Sequence, residues 1–496
     1  MQLNLSNVTY TYPASADPAL RGVTVTFAQG WTGIVGDNGS GKTTLALAAC
    51  GMLKPDSGSV LPALLANYCE QSPNCPPGNL EDFALSYDGV AMRLRHDLQL
   101  DDEWFWRYET LSSGQQKRVQ VACALWANPD VLVMDEPTNH VDASTRRAIS
   151  AALSSFKGIG LLISHDRELL DDLCSQCLFV SEGSVLMRPG GYTQASGQAE
   201  LERNTTIRSR ETARRERDRI EREARRRREE ASRAASRRSL RGTSVRDSDA
   251  REKRDLYVVS GQDGKAGKLS SRMGKRLANA IETLNSTRVE KRYDPNIRIG
   301  VDASGRKVLL RLEESVVSLG GEAGLKIPAL HISKDDRVGI VGDNGTGKST
   351  LVRHIMRSLP ERTNVLYIPQ EPTEEQRRVA TESLHSLGQA EMGRVLSIIA
   401  SLNSEPERIL ENGEASPGEM RKLMLALGVL GNPELIIMDE PTNHLDLGSI
   451  VALERMLGGY EGALLLVSHD AELIRAVTDI TWTIAKKNEG YRLTVS

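Results

Sequence analysis

One eight-residue string constrains this chain more than any other feature. Gly36-Asp37-Asn38-Gly39-Ser40-Gly41-Lys42-Thr43 recurs as Gly342-Asp343-Asn344-Gly345-Thr346-Gly347-Lys348-Ser349. Val131-Leu132-Val133-Met134-Asp135-Glu136-Pro137-Thr138-Asn139-His140 recurs as Leu435-Ile436-Ile437-Met438-Asp439-Glu440-Pro441-Thr442-Asn443-His444. Leu161-Leu162-Ile163-Ser164-His165-Asp166 recurs as Leu465-Leu466-Val467-Ser468-His469-Asp470. The spacings repeat too: 30 residues separate Asp135 from His165 and Asp439 from His469, and 23 separate Ser112 from Asp135 and Ser416 from Asp439. A period this long means a tandem duplication, not a solenoid. The two units run over about 1–195 and 296–496, with 196–295 between them, and each is long enough to bury its own core.

Both strings fit G-x-x-x-x-G-K-[ST]. The apolar residues before them (Ile34-Val35 and Gly339-Ile340-Val341) predict strands, and those after (Leu45 to Ala48, Leu351 to His354) predict helices. That strand–loop–helix setting is what a phosphate loop requires. Glycines let backbone N–H groups converge on phosphate oxygens, and the helix N-terminus adds a positive dipole. Lys42 and Lys348 are placed to reach the terminal phosphates, and Thr43 and Ser349 to offer a hydroxyl to Mg²⁺. Asn38, Thr44, Asn344 and Thr350 complete the two candidate cradles.

The apolar tetrads before Asp135 and Asp439 have the composition of buried parallel strands. They put the aspartates at strand ends, as candidate Mg²⁺ ligands. Glu136 and Glu440 follow as candidate bases that orient the attacking water. An isolated Asp-Glu is usually a surface pair; here its context repeats. Leu111-Ser112-Ser113-Gly114-Gln115 and Ala415-Ser416-Pro417-Gly418-Glu419 each open a predicted helix. Either serine alone reads as an ordinary helix cap. At matched spacing from Asp-Glu, the pair reads as a second anion-binding device.

Between the units, residues 199–292 form a charged stretch with no Pro and a single aromatic residue, Tyr257. Residues 203–292 hold 28 Lys/Arg against 14 Asp/Glu, a net +14 in a chain whose total is −3. The rest therefore sums to −17, and a basic bridge between acidic blocks calls for a polyanion. High helix propensity and a thin apolar seam (Ala213, Ile220, Ala224, Ala231, Ala235) predict an outgoing helix of about 40 residues. Leu269, Met273, Leu277, Ile281 and Leu284 predict a return helix, hence an antiparallel hairpin. Gly242-Thr243-Ser244 is read as the break, and the tip as about 243–270, including Tyr257 and a flexible segment from Gly261 to Lys268. The plainer alternative is a solvated spacer helix. The positive surplus favours RNA, since Arg binds phosphates and stacks on unpaired bases.

Six cysteines all precede the bridge. Cys174-x-x-Cys177 lacks a second pair at zinc spacing, so the thiols are read as buried or incidental. There is no apolar run near the ~20 residues a membrane span needs. The start, Met1-Gln2-Leu3-Asn4-Leu5, has no signal-peptide pattern, so the expectation is a cytoplasmic protein.

Taken together, these motifs resemble the nucleotide-binding domains of ATP-binding cassette (ABC) proteins. The resemblance covers nearly all of both halves. It implies an α/β fold of two tandem P-loop domains joined by the helical hairpin, with ATP and Mg²⁺ as cofactors. Gln71 and Gln370 match the family's Q-loops, joining Thr43, Asp135, Ser349 and Asp439 around the metal. His165 and His469 match its switch histidines and join Glu136 and Glu440 as catalytic residues. The halves would pack head to tail, so that Lys42 shares an ATP with Ser416, Gly418 and Glu419, and Lys348 with Ser112, Gly114 and Gln115. Tyr12 stands where the family stacks an aromatic on adenine; the second half has Val317-Ser318-Leu319 there.

Pro137 to Asp142 and Pro441 to Asp446 further resemble the hallmark of ABC-F proteins, which also join their cassettes by a long charged linker. The stretches from Gln71 to Ser112 and from Gln370 to Ser416 look too short for the helical surface that grips a transporter. The resemblance implies a monomer acting on the ribosome, its linker entering the exit-tRNA region and its tip approaching the peptidyl-transferase centre, against large-subunit rRNA and P-site tRNA. The leading expectation is protection of the ribosome from antibiotics. The alternatives are a translation factor for stalled ribosomes and the tandem ATPase subunit of an importer.

Overall fold

The computed structural model describes every residue except 14, 140, 239–261, 287–298, 301–305, 321–322, 405, 407–414 and 488–489. The chain forms two compact units: Met1–Ala195 with Arg292–Ser496, and Ser196–Lys291.

The first unit holds both repeats. In the first, a six-stranded sheet runs in the order Ala66–Cys69, Val131–Asp135, Ile159–Ile163, Gly30–Val35, Cys174–Ser181, Ser184–Pro189. Its first five strands are parallel. In the second, Val365–Ile368, Leu435–Asp439, Ala463–Val467, Arg337–Val341 and Ile480–Lys487 repeat that order inside an eight-stranded sheet. The apolar tetrads are buried at every position, as strands covered on both faces must be. Each phosphate loop leaves the carboxyl end of a central strand. The loops after the neighbouring strands carry Gln71, Glu136 and His165, and in the other half Gln370, Glu440 and His469. An open α/β sheet binds ligands at these strand ends.

Helices occupy the stretches between Gln71 and Ser112 and between Gln370 and Ser416. Leu80–Leu85 and Gly89–Asp97 lie in the first half, and Glu374–Ser386 and Gln389–Ser401 in the second. Brief helices suffice because they are well anchored. Thr373 and Gln376 form a reciprocal cap, and Ala380, Leu384, Val395 and Ile398 turn into the core.

Tyr192–Arg238, all but its first four residues in the second unit, is one helix of 47 residues, about 70 Å at 1.5 Å per residue. It starts earlier and runs longer than the seam alone indicates. The return helix is Gln262–Ser286. The segment expected to be flexible, from Gly261 to Lys268, is helical from Gln262 onward. Helical Gly costs only about 1 kcal/mol relative to Ala, and the surrounding Lys, Ala and Leu favour the helix. Only part of the predicted seam is buried: Ile220, Ala224 and Met273 pack with Leu277 and Ala280, whereas Leu269 and Ile281 are exposed. Arg225–Glu229 and Arg226–Glu230 are among the ion pairs along the outgoing helix. The predicted break at Gly242 and most of the predicted tip, Tyr257 included, lie outside the described residues. No described helix is long and apolar enough to cross a membrane.

Candidate nucleotide-binding sites

The glycine-rich loops are built from backbone conformations that a side chain would obstruct. Gly41 has φ 100°, and an added Cβ would lie 2.7 Å from the Ala19 carbonyl oxygen; Gly347 has φ 97°, with Leu319 Cδ2 at 2.5 Å. Lys42 Nζ donates to the carbonyls of Gly36 (2.8 Å) and Asp37 (2.9 Å), and Lys348 Nζ to those of Gly342 (2.7 Å) and Asp343 (3.2 Å). Each ammonium is thus folded back over its own loop, and burial lowers the pKa of both.

The strand-end carboxylates sit beside these loops. Thr43 Oγ1 donates to Asp135 Oδ2 at 3.2 Å, and Asp439 is bonded to the Ser349 side chain. Glu136 and Glu440 both take the left-handed region at φ 47°, a strained setting for a glutamate and one that marks functional turns. Their amides donate to the carbonyls of Ile163 and Val467, each at 2.8 Å, fixing the turn against the strand that leads to the histidine. Burial, then the neighbouring Asp135, pushes Glu136 up to about 8; burial pushes Glu440 up to about 7 against the pull of Lys348.

His165 N–H donates to Glu136 Oε2 at 3.2 Å, and His469 N–H to Glu440 Oε2 at 3.2 Å. Glu136 Oε1 lies 3.3 Å from His165 Nε2 and Glu440 Oε1 lies 3.4 Å from His469 Nε2, yet neither oxygen has an aligned hydrogen bond among the described residues. Burial, reinforced by Lys42, lowers the pKa of His165; burial, reinforced by Lys348, brings His469 down to about 4. A neutral imidazole beside a carboxyl with a free acceptor can hold and orient a water molecule.

Asp439 Oδ1 is also buried without a partner, an acceptor a cation would satisfy. No group of three metal-ligating side chains exists among the described residues. That donor set fits Mg²⁺, which takes one or two protein oxygens and completes its shell with phosphate and water.

The two halves meet at these loops, head to tail. The Asn38 backbone N–H donates to Asp446 Oδ2 at 3.3 Å, and its side chain to the His444 carbonyl at 3.3 Å. Asn403 Nδ2 donates to Asp37 Oδ1 at 2.8 Å. Reciprocally, the Asn344 backbone N–H donates to Asp142. One continuous cleft is lined by Asn38, Gly39, Gly41, Lys42, Thr43, Thr44 and Gln71 of the first half. From the second it takes Asn344, Gly345, Gly347, Lys348, Ser349, Thr350 and Gln370. Asp135, Glu136, His165, Asp439, Glu440 and His469 line it as well.

The two Ser-x-Gly turns are placed unequally. Ser416 and Gly418 face the cleft, whereas the first turn contributes Ser113 and not Ser112, Gly114 or Gln115. Both serines cap their helices: Ser112 accepts from the Gln115 N–H, and Ser416 from the Glu419 N–H. Gln115 and Glu419 return the favour to the serine amides, so neither side chain faces the cleft.

Tyr12 is half-exposed at the cleft, its Oη 3.1 Å from Thr44 Oγ1 and its ring edge-on to Tyr10. Leu319 lies against Gly347 in the equivalent place. Cys174 and Cys177 are free and buried, and burial raises both thiols.

Sequence reasoning missed the cross-half contacts of Asn38, Asn403 and Asp446, and the bond from Tyr68 to Asp135. The aspartates were visible inside a repeated motif. Nothing local marked Asn403.

The domain-family profile described as "ABC transporter" matches residues 20–139 and again 325–443. The chain is 26% identical over 500 residues to the ribosome protection protein VmlR of Bacillus subtilis (strain 168), covering 96% of this chain and 85% of that protein. It is 27% identical over 473 residues to the erythromycin resistance ATP-binding protein MsrA of Staphylococcus epidermidis, covering 91% of each. The archaeal ribosome recycling factor aABCE1, solved with the ribosomal stalk protein aP1, superposes with a TM-score of 0.63 over 98% of this chain and 89% of that one, at 18% identity. Such identity speaks for the fold alone. Two matched cassettes in one chain make this a tandem ATP-binding cassette protein, and the relatives that match along almost its whole length are ABC-F proteins.

Proposed function

We propose that this chain is a ribosome-binding ATPase that protects the ribosome from antibiotics. Two cassettes, over about 1–195 and 296–496, close on two ATP and part after hydrolysis, and that motion steers the linker of 196–295. The observation that carries the ATPase reading is the reciprocal contact of each glycine-rich loop with the opposite half, Asn38 with Asp446 and Asn344 with Asp142. A nucleotide on Lys42 would lie in the same cleft as Ser416 and Gly418.

Mg²⁺ brought in with the nucleotide would neutralise phosphate charge there, held by Thr43, Asp135 and Gln71 at one site and by Ser349, Asp439 and Gln370 at the other. Glu136 and Glu440 would accept the proton of the attacking water, and His165 and His469 would hold that water. Tyr12 would stack on adenine, with Leu319 giving apolar contact at the second site.

The ribosome enters through the net +14 of the bridge, a 47-residue helix long enough to reach deep RNA, and two relatives named for ribosome protection and erythromycin resistance. The linker would lie in the exit-tRNA region against large-subunit rRNA and P-site tRNA. Glu136→Gln with Glu440→Gln should trap ATP and lock the protein on ribosomes; absence of ATP-dependent co-sedimentation would sink the ribosome reading. Expression in a sensitive bacterium should raise the inhibitory concentration of one class of ribosome-targeting drug. No change across a full panel would favour a translation factor instead.

A further inference from the structure

Tyr68 belongs to none of the motifs that frame the reaction, yet it grips one of their carboxylates. Its Oη donates to Asp135 Oδ2 at 2.6 Å, and Thr43 Oγ1 donates to the same oxygen at 3.2 Å. The strand Ala66–Cys69 brings it there by pairing Tyr68 with Val133, two residues before Asp135.

The duplication supplies an internal comparison. Tyr367 occupies the equivalent place, paired with Ile437 two residues before Asp439. Among the described residues, Tyr367 makes no hydrogen bond to Asp439. That carboxylate is bonded to Ser349, and its Oδ1 is buried without a partner. One strand-end aspartate is braced by a phenol and the other is not. Thr43 is shared between the carboxylate and any metal it binds, whereas Tyr68 is committed to the carboxylate alone.

We propose that Tyr68 is a positioning residue for the magnesium ion of the Lys42 site, and that it makes the two sites unequal in their use of metal. This rests on the reading of the Lys42 loop as an ATP site. The phenol fixes the plane of the Asp135 carboxylate before the metal arrives. At the Lys348 site the carboxylate has the Ser349 hydroxyl alone, and Ser349 is itself a candidate ligand of the metal. Hydrogen bonds that fix a ligating group change metal affinity by about 10–100-fold.

The test is equilibrium binding of a fluorescent, non-hydrolysable ATP analogue to the full chain, with Mg²⁺ and with EDTA. A Lys348→Ala background leaves the Lys42 loop as the tight site, and Lys42→Ala does the reverse. Tyr68→Phe should weaken binding about tenfold in Mg²⁺ and leave binding in EDTA unchanged. Tyr367→Phe in its own background should change neither. Equal affinities of Tyr68→Phe and Tyr68 chains in Mg²⁺, or an equal loss in EDTA, would overturn the proposal. Failure of the Lys348→Ala chain to bind the analogue under either condition would overturn the nucleotide reading itself, and the proposal with it.

Discussion

Asn38, in the first glycine-rich loop, donates its side-chain amide to the backbone carbonyl of His444 in the other half, at 3.3 Å. The contact joins a phosphate-binding loop directly to the segment that follows the opposite Glu440. It exists where the two halves meet and in neither half alone. Asn38→Ala should therefore lower ATP turnover with little effect on Tm. One exposed neutral hydrogen bond is worth about 0.5–1.5 kcal/mol, hence a roughly two- to tenfold loss in turnover. Steady-state phosphate release and a melting curve on the same sample check this.

Glu136 carries a pH signature. Its folded pKa, about 8, lies above the ordinary carboxylate value. The native state then binds a proton that the unfolded chain has released. The stabilisation is complete below about pH 4 and is lost as pH rises through about 8. Glu136→Gln removes that loss. It should raise Tm over the parent chain at about pH 8.5, and by much less at about pH 5. Thermal shift at the two pH values checks the sign.

A carboxylate base must be ionised to accept a proton. With Glu136 near 8 and Glu440 near 7, ATP turnover should climb with pH through about 7–8 rather than level off at the usual carboxylate range. The double Gln variant should lose about 10²–10⁴-fold in turnover and show no such limb. A pH–rate profile of phosphate release measures both.

Arg167 spans the halves: Nη2 meets Glu454 at 2.8 Å and Nε meets Glu472 at 3.1 Å, and Arg167 is largely buried. Arg167→Ala leaves two carboxylates without their shared cation. The expected loss is about 1–3 kcal/mol, reduced by added salt because both glutamates are partly exposed. Denaturant melts at low and high salt read it.

The six thiols should separate by burial. Cys75 is exposed, Cys50 intermediate and the rest buried, with burial pushing Cys177 up to about 12. Thiolate is the reactive form. A native titration with an aromatic disulfide should show one fast thiol, lost in Cys75→Ser, and the others only on unfolding.

Much of this was legible in residues alone, for a physical reason. The phosphate loops, buried strands and strand-end carboxylates are each made by a few consecutive residues. Gly41 must be glycine because of its own φ; Val131 to Met134 must be apolar because both faces of the strand are covered. The glycines before Leu269 misled, since helix and flexible tip differ by only about 1 kcal/mol per Gly and neighbours decide. The helices of 71–112 and 370–416 carry no motif of their own, because their stability comes from side chains docking on a distant core.

The sequence by itself determined the duplication, the α/β class, the candidate strand-end carboxylates and the charge of the bridge. All of these follow from short-range chemistry repeated at fixed spacing. Only the tertiary structure decided which groups meet across the chain. Asn38 finds Asp446, Asn403 finds Asp37, and Tyr68 rather than Tyr367 reaches its aspartate. Such pairings hang on ångström-scale packing between segments as many as 408 residues apart, and no local pattern encodes that distance.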